Sequence, residues 1–262
     1  MSDSQSSLRS NSSALPPCGE WLLVSDIDDT LTGDDASLLL FLKAIARCPD
    51  LLVSLNSSRP AASVDQTLAD WPAPFHPCAI ITAMGTEVRI DGEYVTSWTA
   101  RFAGWDRRPI DDLMRRLGHP PHAPEMQTQF KASFAVEPHQ QDRARSALAE
   151  LDQPSRIITS GSTHFDILPP LGGKDHATRF LAEHLGIPLG RLIVAGDSAN
   201  DLALFQIAEA GIVVANAHAD LKSAADARHA YFASASHAAG VLQGLVHHGV
   251  PIDAGSLSPR GA

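Results

Sequence analysis

Short apolar runs of strand length recur along the chain, and several end abruptly in polar or acidic residues. Trp21–Ser25 (WLLVS) gives way to Asp26, Asp28 and Asp29, residues 51–55 (LLVSL) to Asn56, Ser57, Ser58, Arg59 and Pro60, and residues 191–195 (RLIVA) to the loop GDSAND. Such runs suit strands covered on both faces of a parallel sheet. Segments with broader apolar faces and good helix formers alternate with them and predict helices over 36–47, 61–71, 175–185 and 202–208. Further strands are expected at Ala79–Thr82, at 211–215 and, weakly, at Ala230–Phe232, with a short helix from Asp220 and a last helix over 238–248. This alternation predicts an α/β protein whose Rossmann-like parallel sheet is joined by right-handed crossovers.

Between the two halves the pattern changes. Residues 87–90 and 94–98 flank Asp91-Gly92, a strong hairpin signal. A helix over 108–117, a Pro/His-rich loop at 119–122, an alternating strand over 131–137, a helix over 140–151 and strands at Arg156–Ser160 and His164–Leu168 complete an α+β module. The expected division is a core of 20–86 and 169–251, split by an inserted α+β cap at 87–168, with a cleft between them. Residues 1–19, rich in Ser with Asn and Pro, and the polar residues 252–262 read as disordered tails. The first lacks the basic start and apolar centre of a signal peptide.

Composition narrows the function. The 262 residues, 44% of them hydrophobic, suffice for a large domain with an insertion. A formal net charge of −10 with no basic run argues against nucleic acid, so a phosphorylated substrate would need local positive charge. Cys18, Cys48 and Cys78 are odd in number and form no CxxC, which points to a reducing compartment without thiol chemistry. No run approaches membrane-spanning length, and a soluble, cytoplasmic protein is expected.

In a parallel sheet the carboxyl ends of all strands lie on one edge, so polar residues scattered along the chain meet there. Four groups qualify: Asp26 and Asp28, the loop 57–59, Lys174 behind Gly172-Gly173, and GDSAND with Asp197, Asn200 and Asp201. If the chain stays extended past Ser25, Asp26 and Asp28 point to the same side and would repel unless a hard divalent cation, Mg²⁺, lay between them. Taken singly each group has a plainer reading: DIDDT as an acidic turn, Asp197 and Asp201 as helix caps, Lys174 as a solvated lysine. Their joint placement at strand ends favours chemistry. Asp26 would attack phosphorus to give an aspartyl-phosphate, and Asp28 would protonate the leaving sugar oxygen and then take a proton from water. Mg²⁺ would be held by Asp26, the backbone carbonyl of Asp28 and Asp197, while Lys174, the Ser57 hydroxyl and loop N–H groups held the phosphoryl oxygens. The 12 histidines are dispersed, and His119-Pro120-Pro121-His122 reads as a surface loop because two prolines exclude a helical metal pair.

The combination of DIDDT, the SSR loop, the GGK helix start and GDSAND resembles the haloacid dehalogenase superfamily, specifically phosphatases with an α+β cap. Within it, LVSDIDDTLTGDD, TAMGTEV, KASFAVEP, FDILP, GDSANDLALF, GIVVANAHADL and FASASHAAGVLQGL resemble the sucrose-phosphate phosphatases and relatives such as mannosylfructose-phosphate phosphatase. The resemblance implies Asp26 as nucleophile, Asp28 as acid and base, Ser57 in the place of the usual threonine, Lys174 as the phosphate lysine and Asp197 and Asp201 on the Mg²⁺ side. Ser58 and Arg59 become candidate substrate contacts and Asn200 would touch substrate or support the metal; the resemblance also implies that the cap closes over the sugar, with Lys131, Gln129 and the turn 161–164 as candidate contacts. That turn carries Ser162-Thr163-His164 where the family usually offers a basic residue, which leaves the sugar open.

The leading expectation is a Mg²⁺-dependent phosphatase releasing sucrose from sucrose 6-phosphate, functionally paired with a sugar-phosphate glycosyltransferase. Mannosylfructose phosphate or another glycosyl or hexose phosphate would keep the mechanism and change the sugar. A phosphohexomutase would need a bisphosphate activator, and a silent binding module would be expected to have lost Asp26 or Lys174, both of which are present.

Overall fold

The computed structural model describes residues 21–252, so the tails expected at either end fall, apart from Ile252, outside the described residues. The first half runs β1 (Trp21–Ser25), α1 (Asp35–Ile45), β2 (Leu51–Asn56), α2 (Ala61–Ala69), β3 (Ala79–Thr82), β4 (Glu87–Ile90) and β5 (Glu93–Tyr94). The middle holds α3 (Thr96–Thr99), α4 (Arg108–Arg116), β6 (Ala132–Ala135), α5 (Pro138–Ala149), β7 (Arg156–Ser160) and β8 (His164–Leu168). The last part holds α6 (Lys174–Leu185), β9 (Leu192–Gly196), α7 (Leu202–Ile207), β10 (Ala210–Val213), α8 (Ala219–Ala224), β11 (Ala230–Phe232) and α9 (His237–His247). Eight strands form one sheet in the order β11-β10-β9-β1-β2-β3-β4-β5, and three form another in the order β6-β8-β7.

The larger sheet is parallel from β11 to β3 and antiparallel at β4 and β5. Alternation along β1 sorts its side chains between two layers: Leu23 joins Phe41, Ile193 and Leu245 under α1 and α9, while Leu22 and Val24 join Val194, Ala177 and Leu181 under α6. A strand buried on both faces is predominantly apolar, which is why β1, β2 and β9 read as near-continuous runs, with the buried Ser54 hydroxyl of β2 satisfied by the Leu55 carbonyl. The smaller sheet packs Phe134, Phe165 and Ile167 against Ile110 and Met114 of α4 and Ala144 and Leu148 of α5.

The hairpin departs from expectation. It does not begin the inserted module: β4 hydrogen-bonds to β3 with Ile81 opposite Val88, making it the antiparallel edge of the larger sheet. An isolated two-stranded hairpin is marginal in water, and the exposed edge of β3 supplies the missing partner. Its second strand stops at Tyr94 because Thr96–Thr99 coils into α3, turning Trp98 inward, where it is buried and its Nε1 donates to the Gly85 carbonyl at 3.1 Å.

Gly85, in the turn between β3 and β4, meets Gly173, in the segment that returns from β8 to α6. Gly85 has φ of 80°, and a side-chain carbon there would overlap the Gly173 carbonyl. Gly85→Ala should therefore lower stability by about 1–3 kcal/mol, through left-handed strain and backbone overlap together. Urea unfolding followed by circular dichroism checks this; an unchanged midpoint would mean that the β3–β4 turn and the start of α6 are not packed together in solution.

Candidate active site

The carboxyl edge of β1, β2 and β9 carries the site. Asp26, the second residue past Val24, is buried and directed toward α6. Lys174 is the first residue of that helix, and its fully buried side chain runs back across the sheet edge. Its Nζ lies 2.6 Å from Asp26 Oδ1, 2.6 Å from Asp201 Oδ1 and 3.1 Å from Asn200 Oδ1. The ammonium thus has one acceptor for each of its three donors.

Asp201 is completely buried and has both oxygens engaged, Oδ1 by Lys174 and Oδ2 by the backbone N–H groups of Asp197 and Ser198. It is a helix cap and the anchor of the lysine at once. Asp197, also buried, accepts a hydrogen bond from Thr30 Oγ1 at 3.2 Å. Carboxylate oxygens of Asp26, Asp197 and Asp201 lie within 4.8 Å of one another. Against the single Lys174 ammonium they leave an excess of two negative charges in a buried volume, and every donor is a hard oxygen. That set fits a divalent cation such as Mg²⁺.

Burial pushes the Asp26 carboxyl well above the usual range; Lys174 opposes this, and Asp201 and Asp197 reinforce it. Asp197 is pushed up to about 6, first by burial and then by Asp201, against Lys174 and Thr30. Burial alone would lower the Lys174 ammonium, but Asp201 and Asp26 outweigh it and hold it above its ordinary value, so the lysine stays charged.

The other expected residues are placed differently. Asp28 does not extend alongside Asp26. The chain turns at once, with Asp29 at φ of 58° and the Leu31 and Thr32 N–H groups closing onto the Ile27 carbonyl. The Asp28 carboxylate, 49% exposed, lies outside the buried acidic group and 3.3 Å from Arg59 Nε. Arg59 is anchored by its Nη2 on Thr67 Oγ1 at 2.6 Å, so its guanidinium is tied to α2 and to Asp28. Ser57 is buried with its Oγ accepting from the Arg59 N–H. Ser58 offers its carbonyl to Lys131 Nζ at 3.0 Å, which joins the smaller sheet to the larger. Lys131 itself is buried, 3.6 Å from Asp166, whose Oδ1 accepts from Ser133 Oγ.

Asn56 and Thr30 escaped the sequence reading. Asn56 Nδ2 donates to the Lys174 carbonyl and to Thr178 Oγ1, pinning the first turn of α6 beneath the site. A polar residue ending an apolar run was the available signal, but its partners lie more than a hundred residues away. His122 escaped for another reason: its loop runs beside β6, with the His122 N–H donating to Ser133 and the ring stacked on His164 at 4.5 Å.

With this geometry in hand, comparison with known proteins is informative. The sequence model of the family Sucrose-6F-phosphate phosphohydrolase matches residues 19–249. The chain is 32% identical over 243 residues to mannosylfructose-phosphate phosphatase of Agrobacterium fabrum, covering 87% of this chain and 97% of that one. It is 30% identical over 252 residues to sucrose-phosphatase 2 of Nicotiana tabacum, covering 86% of this chain but only 53% of the tobacco protein, so it spans about half of that relative's length. The sucrose-phosphatase of Synechocystis, solved with sucrose and phosphate, superposes with a TM-score of 0.81 at 26% identity over 87% of this chain and 98% of that one. Among the described residues no helix is long and apolar enough to cross a membrane. A match that runs through both sheets and every loop of the lysine-centred site places the chain in the sucrose-6F-phosphate phosphohydrolase family, phosphoric monoester hydrolases of the haloacid dehalogenase superfamily.

Proposed function

We propose that this sugar-phosphate phosphatase hydrolyses sucrose 6-phosphate to sucrose and phosphate through an aspartyl-phosphate on Asp26. The observation that carries the reading is the buried Lys174 ammonium, 2.6 Å from the Asp26 carboxylate. In this reading an incoming phosphoryl oxygen displaces one of the acceptors now on the ammonium and shares its charge with the nucleophile.

In the first step an Asp26 oxygen bonds to phosphorus as the bond to the sugar oxygen breaks, and Asp28 gives its proton to that oxygen. In the second, Asp28 takes a proton from water as the water oxygen bonds to phosphorus and Asp26 is released. Lys174 and the Ser57 hydroxyl hold phosphoryl oxygens, and Asn200 and Asp201 hold Lys174. Asp26 and Asp197, with the Asp28 backbone carbonyl, would hold Mg²⁺, which when bound supplies charge that screens nucleophile from phosphate. With both oxygens engaged, Asp201 would act on the metal through the residues it holds, Lys174 and the Asp197 loop.

The smaller sheet with α4 and α5 serves in this reading as the cap that closes over the sugar. Ser133 lies opposite Asp166 and Ala135 opposite His164 across β6 and β8, so these residues share one sheet face, and Phe134 and Phe165 pack on the other. Lys131, two residues before Ser133, reaches the Ser58 carbonyl, which supports the polar face as the one turned toward the catalytic edge. A mannosylfructose phosphate is the second reading, favoured by 32% identity to a phosphatase of that name along 97% of its length. A glycosyltransferase supplying the substrate is the partner either reading implies.

Three outcomes are expected. Free-phosphate release with Mg²⁺ should be fastest on sucrose 6-phosphate and abolished by EDTA; preference for mannosylfructose phosphate would move the sugar, and no metal-dependent release from either, or from glucose 6-phosphate or fructose 6-phosphate, would reject the reaction. Asp26→Asn should bind substrate yet lose at least about three orders of magnitude in kcat, as loss of a nucleophile requires; wild-type turnover in that variant would remove Asp26 from its role. Finally, Asp197 has a folded pKa of about 6, above its ordinary 3.8, so folding favours its proton, and the cation competes with that proton. The rise in melting temperature caused by Mg²⁺ should be full above pH 7 and shrink as pH falls through about 6. A shift that is constant from pH 5 to about pH 8 would exclude Asp197 as a ligand.

A further inference from the structure

Two non-glycine residues with left-handed backbone face each other at the mouth of the site. Asp29 (φ 58°) directly follows Asp28, and His237 (φ 53°) opens α9. Residues other than glycine persist in that region where their surroundings hold them there. One side chain joins the two. Asn216 Nδ2 donates to the Asp29 carbonyl at 2.7 Å, and the His237 backbone N–H donates to Asn216 Oδ1 at 2.9 Å. The His237 ring completes the arrangement, with Nδ1 3.2 Å from the same Asp29 carbonyl. The ring also rests against Gly33, where any side chain would overlap it. The turn that carries Asp28 is thus strapped at two points to the loop after β10 and to the start of α9.

The effect on Asp28 follows from backbone geometry. Peptide units are planar, so the dihedrals of Asp29 alone relate the unit before it to the unit after it. Holding the Asp29 carbonyl with φ fixed therefore restricts the plane of the preceding peptide, to which the Asp28 Cα belongs, and so narrows the directions open to the Asp28 side chain. The Asp28 side chain pairs with Arg59 at 3.3 Å and is half exposed, so its aim depends largely on the backbone.

We propose that Asn216 and His237 are positioning residues that hold Asp28 where it can pass a proton to the leaving sugar oxygen. The proposal rests on Asp28 being the acid of the reading above. Neither residue is placed against reacting atoms; both act through the Asp29 carbonyl.

The test uses kcat/KM, which covers all steps through departure of the alcohol, on two substrates: the best sugar phosphate, whose alcohol needs a proton to leave, and p-nitrophenyl phosphate, whose phenolate does not. Asn216→Ala should lower kcat/KM about tenfold or more on the sugar phosphate, mainly in kcat, and by less than about twofold on p-nitrophenyl phosphate. Asn216→Asp, which keeps the acceptor for the His237 N–H but loses the donor to Asp29, should behave like the alanine variant. His237→Gly removes the ring while allowing the positive φ, and should show the same substrate dependence to a smaller degree. It also carries the test if the Asn216 variants fail to fold. Equal losses on both substrates, or no loss on either, would overturn the proposal. Asp28→Asn separates the strap from the reading beneath it. A leaving-group-dependent loss in Asp28→Asn with intact Asn216 and His237 variants rejects the strap alone, whereas equal loss on both substrates in Asp28→Asn rejects the acid assignment on which the strap rests.

Discussion

The structure depends on one buried ammonium. Lys174 reaches Asp26 from the first turn of α6 and is held from behind by Asp201 and Asn200, so one charge ties the ends of β1 and β9 to a helix between them. Charges in such a place are costly to desolvate, and removing one partner from a buried pair typically costs about 3–5 kcal/mol because the other charge is left unpaired. Much of the neighbouring polar structure follows from meeting that demand. Asp201 spends its second oxygen on two backbone N–H groups, Asn56 fixes the carbonyl of the lysine itself, and Thr30 holds Asp197. What remains is an excess of negative charge among the buried carboxylates, which suits a divalent cation.

The second sheet is joined to the first by a few polar contacts and one aromatic anchor. Arg156 of β7 makes a bidentate pair with Asp175 of α6 and also donates to the Gly172 carbonyl, immediately beside Lys174. Trp98 docks on Gly85 from the other crossing, packed with Phe102 and Phe180. Lys131 adds a single bond to Ser58 across the sheets. The anchors at Arg156 and Trp98 therefore sit next to Lys174, and a contact formed on the polar face of the small sheet is mechanically close to the carboxyl edge of the larger one.

Much of the architecture was legible in the chain because burial on both faces leaves a strand no freedom of composition. β1, β2 and β9 had to be largely apolar, and the polar residues that end them could only gather on one edge once the strands ran parallel. That reasoning located Asp26, Lys174, Asn200, Asp197 and Asp201, and the structure brings all five together. It misjudged the hairpin, since alternation at 87–94 shows that a strand pair exists and not which edge will receive it.

The aim of side chains past a strand end lies beyond any local pattern. Asp28 was expected to continue beside Asp26, but a turn closed on Ile27 rotates it toward Arg59, and that turn is held by Asn216 and His237 from nearly two hundred residues further on. Likewise, the stacking of His122 on His164 arises only when a proline-containing loop settles along β6. The sequence by itself determined most strands, the helices and the edge on which the polar strand ends collect, because those follow from hydrophobic periodicity and the parallel direction of strands joined by helices. The tertiary structure alone decided which carboxylate faces the lysine, which faces the arginine and what holds each in place, because those directions are set by hydrogen bonds between segments that are neighbours only after folding.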